Sequence, residues 1–213
     1  MAGLWLVAFQ PAQASSQYTA PVYAEEDSFT EQEVVVGRDR WALPGTLTMP
    51  KGEGPFPAVV LVHGSGPQDR DETLGPNKPF KDLAWGLASR GIAALRYEKR
   101  TKHYAAEMKD IKNMTVKEET IDDAVAAVAL LKETPRVDPE RVFVIGHSLG
   151  ATLAPRIAEE CLASQRTRIA GIVMLAPASR DLLDLIVEQV EYIAGLDATI
   201  SDPSGRSQRA GER

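Results

Sequence analysis

The chain has 213 residues, 44% of them hydrophobic and 25% charged, with a formal net charge of -6. That length and apolar content suit one α/β domain with an ordinary core, while an acidic balance with scattered lysine and arginine argues against nucleic acid or an anionic membrane as partner. The single cysteine, Cys161, leaves no pair for a disulfide, a C-x-x-C redox motif or a zinc site, and no apolar run approaches the roughly 20 residues that embed a helix in a bilayer.

Taken in order, the chain begins with a short apolar run, Gly3 to Phe9, followed by Ala12-Gln13-Ala14, which is like a signal-peptidase site. No basic residue precedes Arg38, so the secretory pattern is incomplete. The rival reading, the last strand of a preceding domain, is favoured, and with it a cytoplasmic rather than a secreted location. Pro11 to Thr30 lacks a period and reads as a linker. Glu33 to Val36 and Trp41 to Met49, the latter interrupted by Pro44-Gly45, predict an antiparallel pair. Ala58 to Val62 is a continuous apolar run suited to a central parallel strand.

That strand exits through His63-Gly64-Ser65-Gly66-Pro67, a glycine-rich loop whose free N–H groups can hold an oxyanion. The polar run Gln68 to Glu72 follows, with Asp69 and Asp71 expected to order the loop by pairing with Arg70 rather than to bind a metal. Pro79 to Arg90 carries a helical apolar stripe closed by Gly91, and Ile92 to Tyr97 is the next buried strand. Glu98-Lys99-Arg100 reads as a solvated exit loop, and His103 to Met114 as irregular. Thr115 to Thr134 predicts a helix opened by a capping box from Thr115 and Glu118.

Arg141 to Leu153 reads RVFVIGHSLGATL, a buried strand, a sharp turn and an amphipathic helix. Gly146, Ser148 and Gly150 match the G-x-S-x-G nucleophile elbow, in which a strained turn lifts a serine hydroxyl off the end of a strand. Cys161 falls on the helical stripe that follows and reads as core. Ile169 to Leu175 predicts another buried strand and Leu182 to Leu196 another helix. The tally is a mostly parallel sheet with helices on both faces, whose ligands bind at the carboxyl ends of the strands. Both the His63–Pro67 loop and the elbow belong to that end. Trp85, Tyr97 and Tyr104 are candidate pocket residues, with core packing the better reading for Trp85.

Together, His63-Gly64-Ser65-Gly66-Pro67, Asp69-Arg70-Asp71, Asn77-Lys78-Pro79-Phe80, Arg96-Tyr97-Glu98-Lys99-Arg100 and Gly146-His147-Ser148-Leu149-Gly150 resemble a bacterial α/β-hydrolase esterase. The branch is the one related to dienelactone hydrolases and serine aminopeptidase-like hydrolases, and the similarity runs from about Phe29 to Leu196. The resemblance implies Ser148 as catalytic nucleophile and N–H groups of Leu149 and the Ser65 region as oxyanion hole. His63, Gly64, Gly66, Gly146, His147 and Gly150 would support them. It implies a small-molecule carboxylic ester as substrate and acyl transfer to water; no dinucleotide, P-loop or metal-ligand pattern in the sequence points to a cofactor or metal. Peptide hydrolysis uses the same residues and stays open, as does a non-catalytic binding module; the oligomeric state is not set.

The same resemblance implies an acid and then a histidine after the serine, whereas His63, His103 and His147 all precede Ser148. Asp181, Asp184, Asp197 and Asp202 are nominal acids without a base to orient. The expected organisation is therefore an N-terminal segment and linker over 1–28, a partial α/β-hydrolase domain over 29–200 lacking its last strands, and a disordered tail over 201–213. Such a chain is expected to be inactive alone.

Overall fold

The computed structural model describes residues 17–109, 111–163 and 167–201. The apolar run at 3–9 and the polar tail beyond 201 lie outside the described residues. Among the described residues six strands form one sheet: β1 (Phe29–Val36), β2 (Leu43–Pro50), β3 (Phe56–Val62), β4 (Ala93–Tyr97), β5 (Val137–His147) and β6 (Gly171–Leu175). Their spatial order is β1-β2-β4-β3-β5-β6. The first two pairings, β1 with β2 and β2 with β4, are antiparallel. The other three, joining β4, β3, β5 and β6, are parallel.

The parallel half follows from the connections. Each crossover carries a helix, and a parallel pair needs such a crossover. The helices are α1 (Pro79–Ala88), the short α2 (Arg100–His103) and α3 (Ala105–Met108), α4 (Asp122–Glu133), α5 (Leu149–Ala163) and α6 (Leu182–Ser201). Successive side chains of a strand point to opposite faces, and β3 shows it. Ala58, Val60 and Val62 join α4 and α5 residues such as Val128, Leu131, Leu153 and Ile157 in the larger core. Val59 and Leu61 meet Phe80 and Ala84 of α1 on the other face.

Several expectations change in detail. Pro44 and Gly45 do not interrupt β2, because they pair with Val35 and Val34. A Cβ on Gly45 would sit 2.7 Å from the Arg96 carbonyl oxygen, so the residue lets β4 approach. Helix α1 ends as expected at Gly91 (φ 80°), with the Ile92 N–H donating to Leu87 O and the Gly91 N–H to Ala88 O, a Schellman stop. The Thr115–Glu118 capping box is present, but the helix opens with a π turn over Lys117–Ile121 before α4. The part of the linker at 17–28 packs along α1: Tyr18, Ala20 and Ala24 lie against Phe29, Trp85 and Ala88, and the Tyr18 hydroxyl donates to Asp82.

The largest correction concerns charge. Glu98-Lys99-Arg100 is not a solvated loop, since Lys99 is 2% exposed and Arg100 is buried. Each is compensated, as buried charges must be. Lys99 pairs with Glu119, Arg100 with Asp123, and the buried Arg96 with both Asp71 and Glu31. Arg70 turns away from Asp69 and Asp71 to pair with Glu33 and Glu98.

On the far side, β6 is an edge strand, and Val173 and Met174 on it are exposed. So are Ile186, Val187, Val190, Tyr192 and Ile193 on α6. Among the described residues no helix is long and apolar enough to cross a membrane.

Candidate active site

Ser148 sits between the end of β5 and the start of α5 with φ at 51°, a left-handed conformation that a non-glycine residue adopts only when its surroundings enforce it. Three contacts enforce it here. The Ser148 N–H donates to Leu175 O at the end of β6, the Thr152 N–H closes the first turn of α5 on Ser148 O, and the Thr152 hydroxyl donates to the same oxygen. That hydroxyl also accepts the Ala178 N–H, tying the turn to the loop after β6. The flanking glycines permit the crossing: a Cβ on Gly146 would lie 2.3 Å from Gly150 O, and one on Gly150 would lie 2.3 Å from Val62 O. No side chain fits at either position.

The loop after β3 closes the site from the neighbouring strand. An added Cβ on Gly64 would lie 3.3 Å from Ser148 Cβ and 3.4 Å from His147 Nδ1, so this glycine lies directly against the elbow. Ser65, Gly66 and Pro67 are exposed, and Gly66 (φ 81°) turns the chain with open space beside it. Leu149 is the first residue of α5, where an N–H lies outside the helical ladder and at the positive end of its dipole. Gly64 itself offers no free donor, because its N–H is taken by Glu72 Oε1 at 2.5 Å.

Glu72 is the residue that sequence reasoning passed over. Its carboxylate is buried, its backbone is left-handed (φ 53°), and its second oxygen lies 2.8 Å from His147 Nδ1, a short contact at an angle that falls outside hydrogen bonding. The available signal was a carboxylate a few residues beyond a glycine-rich strand exit, but only the fold brings it back onto Gly64. His147 thus faces Glu72.

His63 lies 1% exposed between Phe80 and Tyr97, with its Nε2 unpartnered. Burial, and then the positive charge of Lys99, push its pKa down to about 3, so the imidazole is neutral and structural. His103, on α2, packs edge-on against Tyr104. Asp181 and Asp184 are exposed at the start of α6. The side chain of Asp197 and all of Asp202 lie outside the described residues.

All three candidate pocket aromatics are occupied elsewhere. Tyr97 is buried in the main core, and the Tyr104 hydroxyl donates to Ala42 O at 2.6 Å. Trp85 packs on Phe29, as expected, and its indole N–H donates to Glu31. Asp69 accepts the N–H groups of Asp71 and Thr73 and orders the loop, while Asp71 binds Arg96 and Lys78. Among the described residues no three His, Cys, Asp or Glu side chains gather as a metal site. Cys161 is fully buried, and burial raises its thiol pKa to about 11.

A strained serine at a strand-to-helix turn, glycines on both sides and a glycine loop from the adjacent parallel strand define the arrangement, and a family model for the α/β hydrolase fold matches residues 117–202. The chain has the α/β-hydrolase fold. Among curated proteins this chain is 50% identical to esterase EstD of Thermotoga maritima over 181 residues, which is 85% of this chain and 40% of that protein. It is 28% identical to esterase FrsA of Escherichia coli over 141 residues, 66% of this chain and 30% of that one. The chain therefore spans less than half the length of either relative. Among solved structures, a bacterial heroin esterase superposes with a TM-score of 0.55 at 20% identity, covering 73% of this chain and 46% of that chain. A dienelactone hydrolase-like phosphotriesterase from metagenomic libraries superposes with a TM-score of 0.50 at 18% identity, covering 70% and 60%.

Proposed function

We propose that this chain carries the nucleophile and the oxyanion hole of a serine esterase acting on small carboxylic esters. The observation that carries the reading is Ser148 itself, a serine held at φ 51° on the β5–α5 turn with Gly64 of the neighbouring strand exit against it. In this reading the Ser148 hydroxyl attacks the ester carbonyl carbon, and the developing oxyanion takes the N–H groups of Ser65 and Leu149. The carbonyl then re-forms, the alcohol leaves, and water releases the acid from the acyl-serine.

Attack requires that the hydroxyl proton be removed. His63 is a buried neutral ring between Phe80 and Tyr97 and is not placed as base, while His147 turns its Nδ1 toward Glu72. The proton therefore goes to a group other than His63. The esterase relatives support ester over peptide bonds as substrate, by similarity alone.

Exposure to a fluorophosphonate, read by intact mass, tests the proposal. The expected result is one adduct that forms faster with added imidazole as external base and is absent from Ser148→Ala. A folded chain giving no Ser148-dependent adduct, with imidazole or without it, would overturn the esterase reading and favour a binding module.

A further inference from the structure

Gly64 is held by buried charges of opposite sign on its two backbone groups. Its N–H donates to the Glu72 carboxylate, and its carbonyl oxygen accepts from the Lys99 ammonium at 2.8 Å. Lys99 is 2% exposed, and Glu119, on the π turn before α4, is its counter-ion at 2.9 Å. The backbone of Lys99 grips the same loop a second time, its N–H donating to Gln68 O at 3.2 Å. An ammonium is costly to bury, and this one is spent on the carbonyl of a glycine that lies against the candidate nucleophile.

The geometry of the peptide bond makes that contact directional. In a trans peptide the carbonyl of one residue and the N–H of the next point in opposite directions across one plane. Fixing Gly64 O toward Lys99 therefore turns the Ser65 N–H to the other side. With glycine at one end, this peptide is otherwise free to rotate, because glycine accepts conformations that other residues do not. A flipped peptide would present the carbonyl oxygen where the N–H had been, and a negative dipole there would repel an oxyanion.

We infer that Lys99 is a positioning residue, whose ammonium locks the Gly64–Ser65 peptide with the Ser65 N–H presented as an oxyanion donor. The inference rests on the esterase reading for the use of that donor, but not for the lock itself. Glu119 holds the ammonium in place, and Glu72 fixes the preceding peptide by taking the Gly64 N–H out of play.

The test pairs a chemical with a spectroscopic readout on the full chain. Lys99→Met keeps the aliphatic stem and removes the charge. Imidazole-assisted phosphonylation of Ser148 should slow by roughly 100-fold, the effect of losing one oxyanion donor, with little change in the concentration dependence of labelling. The Ser65 amide resonance should shift or divide in two, and Lys99→Arg should restore part of both. A folded Lys99→Met chain with an unmoved Ser65 resonance overturns the lock, whatever Ser148 does. If the wild-type chain does not label, the esterase reading fails and the resonance alone decides the lock.

Should Lys99→Met not fold, amide hydrogen exchange in the wild-type chain decides. The Gly64 N–H is expected to be protected and the Ser65 N–H to exchange freely. The reverse order would overturn the inference.

Discussion

Gly64 and Ser148 lie on different strand exits yet meet so closely that a methyl group on the glycine would fall 3.3 Å from the serine Cβ. Gly64→Ala is therefore expected to leave a folded chain whose Ser148 phosphonylation slows by at least about tenfold, since a small displacement of a reacting group already costs about 100-fold in rate. Thermal unfolding together with labelling rate checks it. An unchanged rate would mean that the loop yields freely.

Gly150 is the harsher case. Its added Cβ would sit 2.3 Å from Val62 O, a backbone atom in the centre of the sheet. Gly150→Ala should destabilise by about 3 kcal/mol, the upper end of overpacking costs, measured by urea unfolding.

The strain at Ser148 makes a prediction of opposite sign. A left-handed residue with a Cβ costs roughly 1–2 kcal/mol, which glycine avoids at some expense in chain entropy. Ser148→Gly should be more stable than Ser148→Ala by up to about 1 kcal/mol. Both variants should be unreactive toward fluorophosphonate.

The chain alone is expected to hydrolyse p-nitrophenyl acetate no faster than Ser148→Ala. Loss of the base of a serine triad costs about 10⁶-fold in turnover in a studied case, and His63, a buried neutral ring, is not placed to act as one. A Ser148-dependent rate without added imidazole would show that another group serves.

His63 gives a pH dependence whose sign is fixed. Its imidazole titrates near 6.5 when free and only near 3 when folded. Between those values the unfolded chain binds a proton that the folded chain does not, so stability is lost as pH falls from 6.5 toward 3. For one group the slope approaches about 1.4 kcal/mol per pH unit. Urea midpoints collected across that window should fall more steeply for the wild type than for His63→Gln, and equal slopes would contradict the burial argument.

The sheet and the elbow were legible because their signals are local. Ala58 to Val62 and Val142 to Ile145 are apolar runs with no other use, and Gly146 and Gly150 flank the one serine among the described residues that the backbone strains. The charged network was not legible, because its partners lie far apart in the chain. Lys99 reads as a surface cation until β4 is placed beside β3 and its ammonium reaches Gly64 O. Glu72 reads as the end of a polar run until its side chain folds back eight residues onto the Gly64 N–H. Pro44-Gly45 misled for a related reason, since β2 tolerates glycine where β4 needs room to approach.

The Ser148 N–H finds its acceptor on Leu175, the last residue of β6, rather than on the strand or helix that form the turn. The seating of the candidate nucleophile is thus borrowed from the outermost strand of the sheet. Fraying of β6 would withdraw that acceptor and let the serine relax out of its left-handed conformation, so the reactivity of Ser148 doubles as a gauge of how firmly the sheet is zipped at its margin.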